Sequence, residues 1–138
     1  MDINFSLVSY YPITFNVYAD GLQLNDYAQG DMMKTATVIT GDNGFNINFT
    51  IYESDKTTPI NLTDATVILR MVDRVDNSTL LFSGTCTISN SLQGSCYYTV
   101  SLTDFDSIGI YQGKLQISYP SGQFITARKI NVNVINGY

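Results

Sequence analysis

Hydrophobic and polar positions alternate through much of this chain. Phe45, Ile47, Phe49 and Ile51 share one side of an extended segment, while Asn46, Asn48, Thr50 and Tyr52 share the other. Such period-two spacing sets one face of a strand on a core and the other in water. The alternation returns over Ile110 to Tyr119, with Tyr111, Leu115, Ile117 and Tyr119 opposed to Gln112, Lys114, Gln116 and Ser118. It returns again over Phe124 to Ile135, where Phe124, Ile130, Val132 and Val134 are expected on one face. Ala65 to Val72 is apolar on both sides except at Arg70, the pattern of a central strand covered on both faces. Lys34 to Thr40 is a β-branched run stopped by Gly41-Asp42-Asn43-Gly44, residues that suit a turn.

Further on, the loop Asp73 to Ser78 leads into Leu80 to Phe82, and a hairpin joins Thr85–Ser89 to Ser95–Leu102 across Asn90 to Gly94. One helical turn is expected, at Thr103 to Asp106, with Thr103 as its cap and Asp106 completing an approximate capping box. Residues 1–30 are less regular. Extended pieces at Phe5–Tyr10 and Ile13–Tyr18 are separated near Pro12 and ended by Asp20-Gly21, and a polar piece, Gln23 to Asp31, follows. The stretch reads as an N-terminal extended arm or added hairpin, leaving residues 31–138 as one domain. The whole pattern predicts an all-β fold of about seven to nine antiparallel strands, which bury half-apolar faces by packing as a β-sandwich.

Composition agrees. Ile, Val, Thr, Tyr and Phe abound, Ala is scarce and Glu53 is the only glutamate, a poor mixture for long surface helices. The net charge is −5, and the seven basic residues form no run longer than Arg128-Lys129. Nucleic-acid binding needs a concentrated basic face and is not expected. No apolar stretch is long enough to span a membrane as a helix, and no signal peptide opens the chain. The protein is therefore expected to act where it is made or to leave its host cell by a route such as lysis.

The candidate chemistry is sparse. The chain has no histidine and no tryptophan, which removes Ser-His-Asp and Cys-His units and the usual catalytic zinc ligands. The acids fall almost entirely in predicted turns, where aspartate is a turn former. Asp104 with Asp106, or Asp73 with Asp76, match no calcium-loop spacing. No catalytic residue, cofactor site or metal site is expected, and no enzyme. Cys86 and Cys96 fall almost opposite one another in the predicted hairpin; a disulfide and a pair of reduced thiols fit this placement equally well. Ten tyrosines remain. Tyr10, Tyr11, Tyr18, Tyr52 and Tyr97 are placed on outer faces or in the arm, and such rings suit a protein interface as well as ordinary strand composition.

From Asp31 onward the order of features resembles the N-terminal immunoglobulin-like domain of phage baseplate upper proteins. The matching pieces are Gly41-Asp42-Asn43-Gly44 before Phe45–Tyr52, then Pro59-Ile60-Asn61-Leu62-Thr63-Asp64-Ala65-Thr66-Val67. Gly84-Thr85-Cys86-Thr87-Ile88, Gly94, the turn at Leu102–Asp106 and Gly109-Ile110-Tyr111 complete the series. The resemblance implies an immunoglobulin-like β-sandwich in a structural phage virion protein, assembled in the host cytoplasm, which joins tail parts by binding other virion structural proteins and copies of itself. Residues 1–30 lie outside it, and the chain ends three residues after Ile135 without a fibre-like extension. Capsid decoration, a neck or fibre subunit, and a carbohydrate- or cell-surface-binding module are therefore carried as alternatives.

Overall fold

The computed structural model describes residues 11–19, 35–75 and 79–137, with the backbone alone at 128 and 129. Nine strands are formed among them: β1 (Ile13–Ala19), β2 (Thr35–Ile39), β3 (Asn46–Tyr52), β4 (Thr66–Asp73), β5 (Leu80–Thr85), β6 (Thr87–Asn90), β7 (Ser95–Thr99), β8 (Gly109–Ser118) and β9 (Phe124–Ile135). They lie in the order β5-β4-β8-β9-β1-β3-β7-β6, and β2 pairs with the remaining length of β9.

The fold is all-β, as the alternation predicts, but the sheet is mixed and not purely antiparallel. β1 runs parallel to β3 and β2 parallel to β9. Alternation tells which side chains share a face and is silent on strand direction, which here is settled by segments far apart in sequence. Within residues 1–30, read from sequence as an arm or added hairpin, Ile13–Ala19 joins the sheet as β1. β1 lies between β3 and β9, and its Phe15 and Val17 are fully buried. The pieces Phe5–Tyr10 and Gln23–Asp31 lie outside the described residues.

Cys86 alone separates β5 from β6. Its N–H donates to the Val67 carbonyl of β4 at 2.8 Å, while Ile88 two residues on is paired with Cys96 of β7. One bent chain segment thus serves the first and the last position of the sheet order. Side chains confirm the return: Phe82 of β5 stacks on Tyr98 of β7 with ring centroids 5.4 Å apart. Gly84 permits this approach, since a Cβ there would lie 2.3 Å from the Tyr98 ring. The inward residues of β1 to β5 and β7 to β9 form one core, with Ile47, Phe49, Ile51, Leu69, Met71, Leu115, Ile117, Ile130, Val132 and Val134 all buried.

Two local readings need correction. Phe124 is 58 % exposed and does not share a face with Ile130. Opposite Gly113 and Lys114 the register of β9 passes from Ile130 to Arg128, so Lys129 is an extra residue that reverses the alternation before it. Residues 103–106, in turn, make no helix. The helical turn among the described residues is a 3-10 turn at Ser91–Gln93 inside the β6–β7 hairpin, capped by the Asn90 side chain and closed by Gly94 at φ 68°. Thr103 does not cap the loop after β7. Asp104 does this work, its Oδ2 accepting the Ser101 N–H at 2.8 Å and the Tyr98 hydroxyl at 2.5 Å. Phe105 is thereby held fully buried, edge-on to Phe82 at 5.1 Å, and its carbonyl accepts the Gly41 N–H.

Candidate interaction surfaces

The tyrosines placed on outer faces are less open than their positions suggest. Tyr11 is half-buried, stacked on Phe45 at 3.9 Å; its hydroxyl donates to Asp42 Oδ2 at 2.8 Å and accepts the Ile39 N–H at 2.9 Å. It fastens the start of β1 to the end of β2. Tyr18 points outward by parity yet is buried, because Tyr52 stacks beside it at 5.8 Å and the Lys56 ammonium lies 5.9 Å from its ring centroid. Tyr52 and Tyr97 are half-buried on the outer face. The structure thus joins Tyr18 to Tyr52, sets Tyr97 apart on β7 beside Asn48 and Thr87, and leaves Tyr10 outside the described residues.

Around Tyr97 the outer face of β1, β3, β6 and β7 carries Thr14, Asn16, Asn48, Thr50, Ser95 and Thr87 in adjoining rows, and none of these four strands holds a charged residue. The face is broad, polar and neutral. The alternation sets Asn46, Asn48, Thr50 and Tyr52 on one face of a single strand; their grouping with Thr14, Asn16 and Tyr97 needs the β1–β3 and β3–β7 registers, which the alternation does not reveal.

Cys86 and Cys96 are both free and buried. They are not paired in register, since Cys96 is opposite Ile88. The neighbouring Cys96 thiol first, and burial next, push the Cys86 thiol well up from its ordinary value. A thiol so held is a poor nucleophile and a poor metal ligand. Among the described residues no group of three or more His, Cys, Asp or Glu side chains gathers as a metal site would require.

A groove of about 570 Å³ opens between the β3–β4 connection and the β8–β9 turn, lined by Glu53, Asn61, Thr63, Tyr119, Gln123 and Phe124 among others. The Tyr119 hydroxyl donates to the Asn61 carbonyl at 2.7 Å, and burial, with the Glu53 charge second, raises its pKa. No helix of the described residues is long and apolar enough to cross a membrane.

Among the described residues the core takes up most of the aromatic rings. Residues 10–138 match the family model described as the BppU N-terminal domain, the N-terminal domain of the baseplate upper protein. The chain belongs to this family. The match begins before β1, so the strand read from sequence as part of an arm lies within the family domain. The fold is similar to the N-terminal domain of phage TP901-1 ORF48, at 12% identity and TM-score 0.61, covering 89% of this chain and 98% of that one. A second solved structure, the PmoD soluble domain from Methylocystis sp. ATCC 49242 (Rockwell), is similar at 15% identity and TM-score 0.41 over 72% of this chain and 77% of that chain. Among curated proteins no sequence matches this chain. The family is one of structural phage baseplate proteins and not of enzymes.

Proposed function

We infer that this chain is a structural part of a phage baseplate, working in the virion by holding neighbouring virion proteins and copies of itself through the outer faces of its sheet. The observation that carries this reading is the family match over residues 10–138. The outer face of β1, β3, β6 and β7, four strands that carry no charged residue, supports it, because docking over those strands desolvates few ions. The test is quantitative mass spectrometry and antibody labelling of purified virions. Multiple copies at the tail tip are expected; absence from virions refutes the reading, and labelling on the capsid shell would move the protein to a decoration role. Removing residues 1–9, which precede the matched region, separates docking by the leading tail from docking by the sheet. Incorporation of that variant at the full level assigns docking to the sheet.

The same reading carries an immunoglobulin-like sandwich, in which the β5-β4-β8-β9 half lies over the β1-β3-β7-β6 half. The Phe82–Tyr98 contact supports it. An experimental structure should find the halves facing one another at about 10 Å; a round barrel with no flat halves would refute the sandwich. A second reading, a saccharide-binding module, is favoured by the groove at Tyr119, where an exposed Phe124 ring stands beside Glu53, Asn61 and Gln123. A glycan array without hits removes it.

A further inference from the structure

The charges of this chain are unevenly placed. β1, β2, β3, β6 and β7 carry none, whereas β4, β8 and β9 together hold Arg70, Lys114, Arg128 and Lys129, four of the seven basic residues. Across β4, β5, β8 and β9 the only acidic residue is Asp73, at the last position of β4. The register sets Arg70 opposite Lys114, and Lys114 opposite Arg128. Three neighbouring strands therefore align three basic residues in one row across the sheet, with Ser83 of β5 next to Arg70.

Like charges directly opposite one another work against strand pairing. This arrangement stands in a chain of net charge −5, where twelve acids are at hand to interleave. The row therefore costs the fold stability and needs a reason outside it. Arg70 and Lys114 occupy outward, half-buried positions, alternating with the buried Leu69, Met71 and Leu115. On the same outer face Ile68 and Val72 of β4 are half-buried and Ile110 of β8 is 46 % exposed.

We propose that the outer face of β4, β8 and β9 is the docking surface for a carboxylate-rich patch on another virion protein. The proposal rests on the baseplate reading and deepens it by naming the face and the chemistry of its partner. Arginine presents a planar fork that matches a carboxylate, and aliphatic side chains beside it are the mixture found at the centre of protein interfaces. A phosphate polymer would draw on the charges and leave Ile68, Val72 and Ile110 without a role. The neutral face on the opposite half offers no means of choosing a partner by charge. The basic row does so, steering association and rejecting basic surfaces.

The test is complementation of a phage lacking this protein with R70E/K114E, counting copies per virion and following the fold of the purified variant by circular dichroism and melting. The expected result is a folded variant, melting no lower than the wild type, whose incorporation falls by roughly tenfold or more, with R70Q/K114Q in between. Suppressors that replace Asp or Glu by Lys or Arg in a neighbouring virion protein should restore it. Should R70E/K114E fail to fold, the single R70Q and K114Q variants carry the same comparison. Wild-type incorporation of the folded reversal variant overturns the proposal and leaves the baseplate reading standing, whereas absence of the wild-type protein from virions overturns both. Binding of inorganic polyphosphate by the wild type, lost in a variant that still assembles normally, overturns it in favour of a phosphate-polymer ligand.

Discussion

The hydrogen bond from Tyr98 to Asp104 holds the loop after β7 against the core, and its removal should be felt strongly. Both groups are buried, Asp104 at 8 % exposure, and Asp104 Oδ2 accepts only from the Tyr98 hydroxyl and the Ser101 N–H among the described contacts. In Tyr98→Phe the ring and its stacking on Phe82 stay, but the carboxylate loses a donor in a site water enters poorly. Loss of a hydrogen bond to a charged group costs about 1.5–3 kcal/mol. For a domain of this size that lowers the melting temperature by roughly 5–10 °C.

Tyr98 also leaves a signature in pH. Burial first, and the Asp104 hydrogen bond and charge next, push its pKa up to about 12, whereas an unfolded tyrosine ionises near 10. The folded state therefore keeps a proton that the unfolded state gives up. The stabilisation is complete below about pH 10 and is lost as pH rises from there towards 12. Urea unfolding of the wild type, Tyr98→Phe, Asp104→Ala and the double variant at pH 7 and across pH 9–12 reads both quantities. Additive single effects, or an alkaline slope identical in wild type and Tyr98→Phe, would show that the pair does not act as described.

Three further outcomes follow from single contacts. Gly94→Ala should destabilise by about 1–3 kcal/mol in urea unfolding, because φ is 68° there and a Cβ would sit 2.4 Å from the Ile51 carbonyl; an unaffected midpoint would contradict this. Asp55, held down to about 2 chiefly by the Thr58 hydroxyl and then by the Thr58 and Thr57 N–H groups, adds stability that is present above about pH 4 and lost as pH falls towards 2. Thr58→Val should return its NMR-monitored titration towards the ordinary carboxylate value. The Cys86–Cys96 thiols should resist iodoacetamide in the native protein and react, two per chain, after unfolding; rapid native labelling or a mass two hydrogens short without reductant would contradict the buried-thiol description.

What the sequence by itself determined is the local grammar: strand-forming composition, the inward sets of β3 and β8, the β6–β7 hairpin, and the absence of histidine that removes so many chemistries. Composition is a plain count, and the inward sets and the hairpin depend on neighbours a few residues apart, so the spacing of side chains along an extended backbone suffices to reveal them. The motif series from Gly41 to Tyr111 carried the family as well. The parallel partners of β1 and β2, the extra residue at Lys129, the handover at Cys86 and the replacement of Thr103 by Asp104 as the loop cap were decided only in three dimensions. Both outer faces belong to this second group. Arg70, Lys114 and Arg128 are 44 and 14 residues apart in order along the chain, and nothing in their local surroundings says that they share a row. Register across strands is fixed by which apolar faces can be buried together, a property of the whole core that no short segment contains.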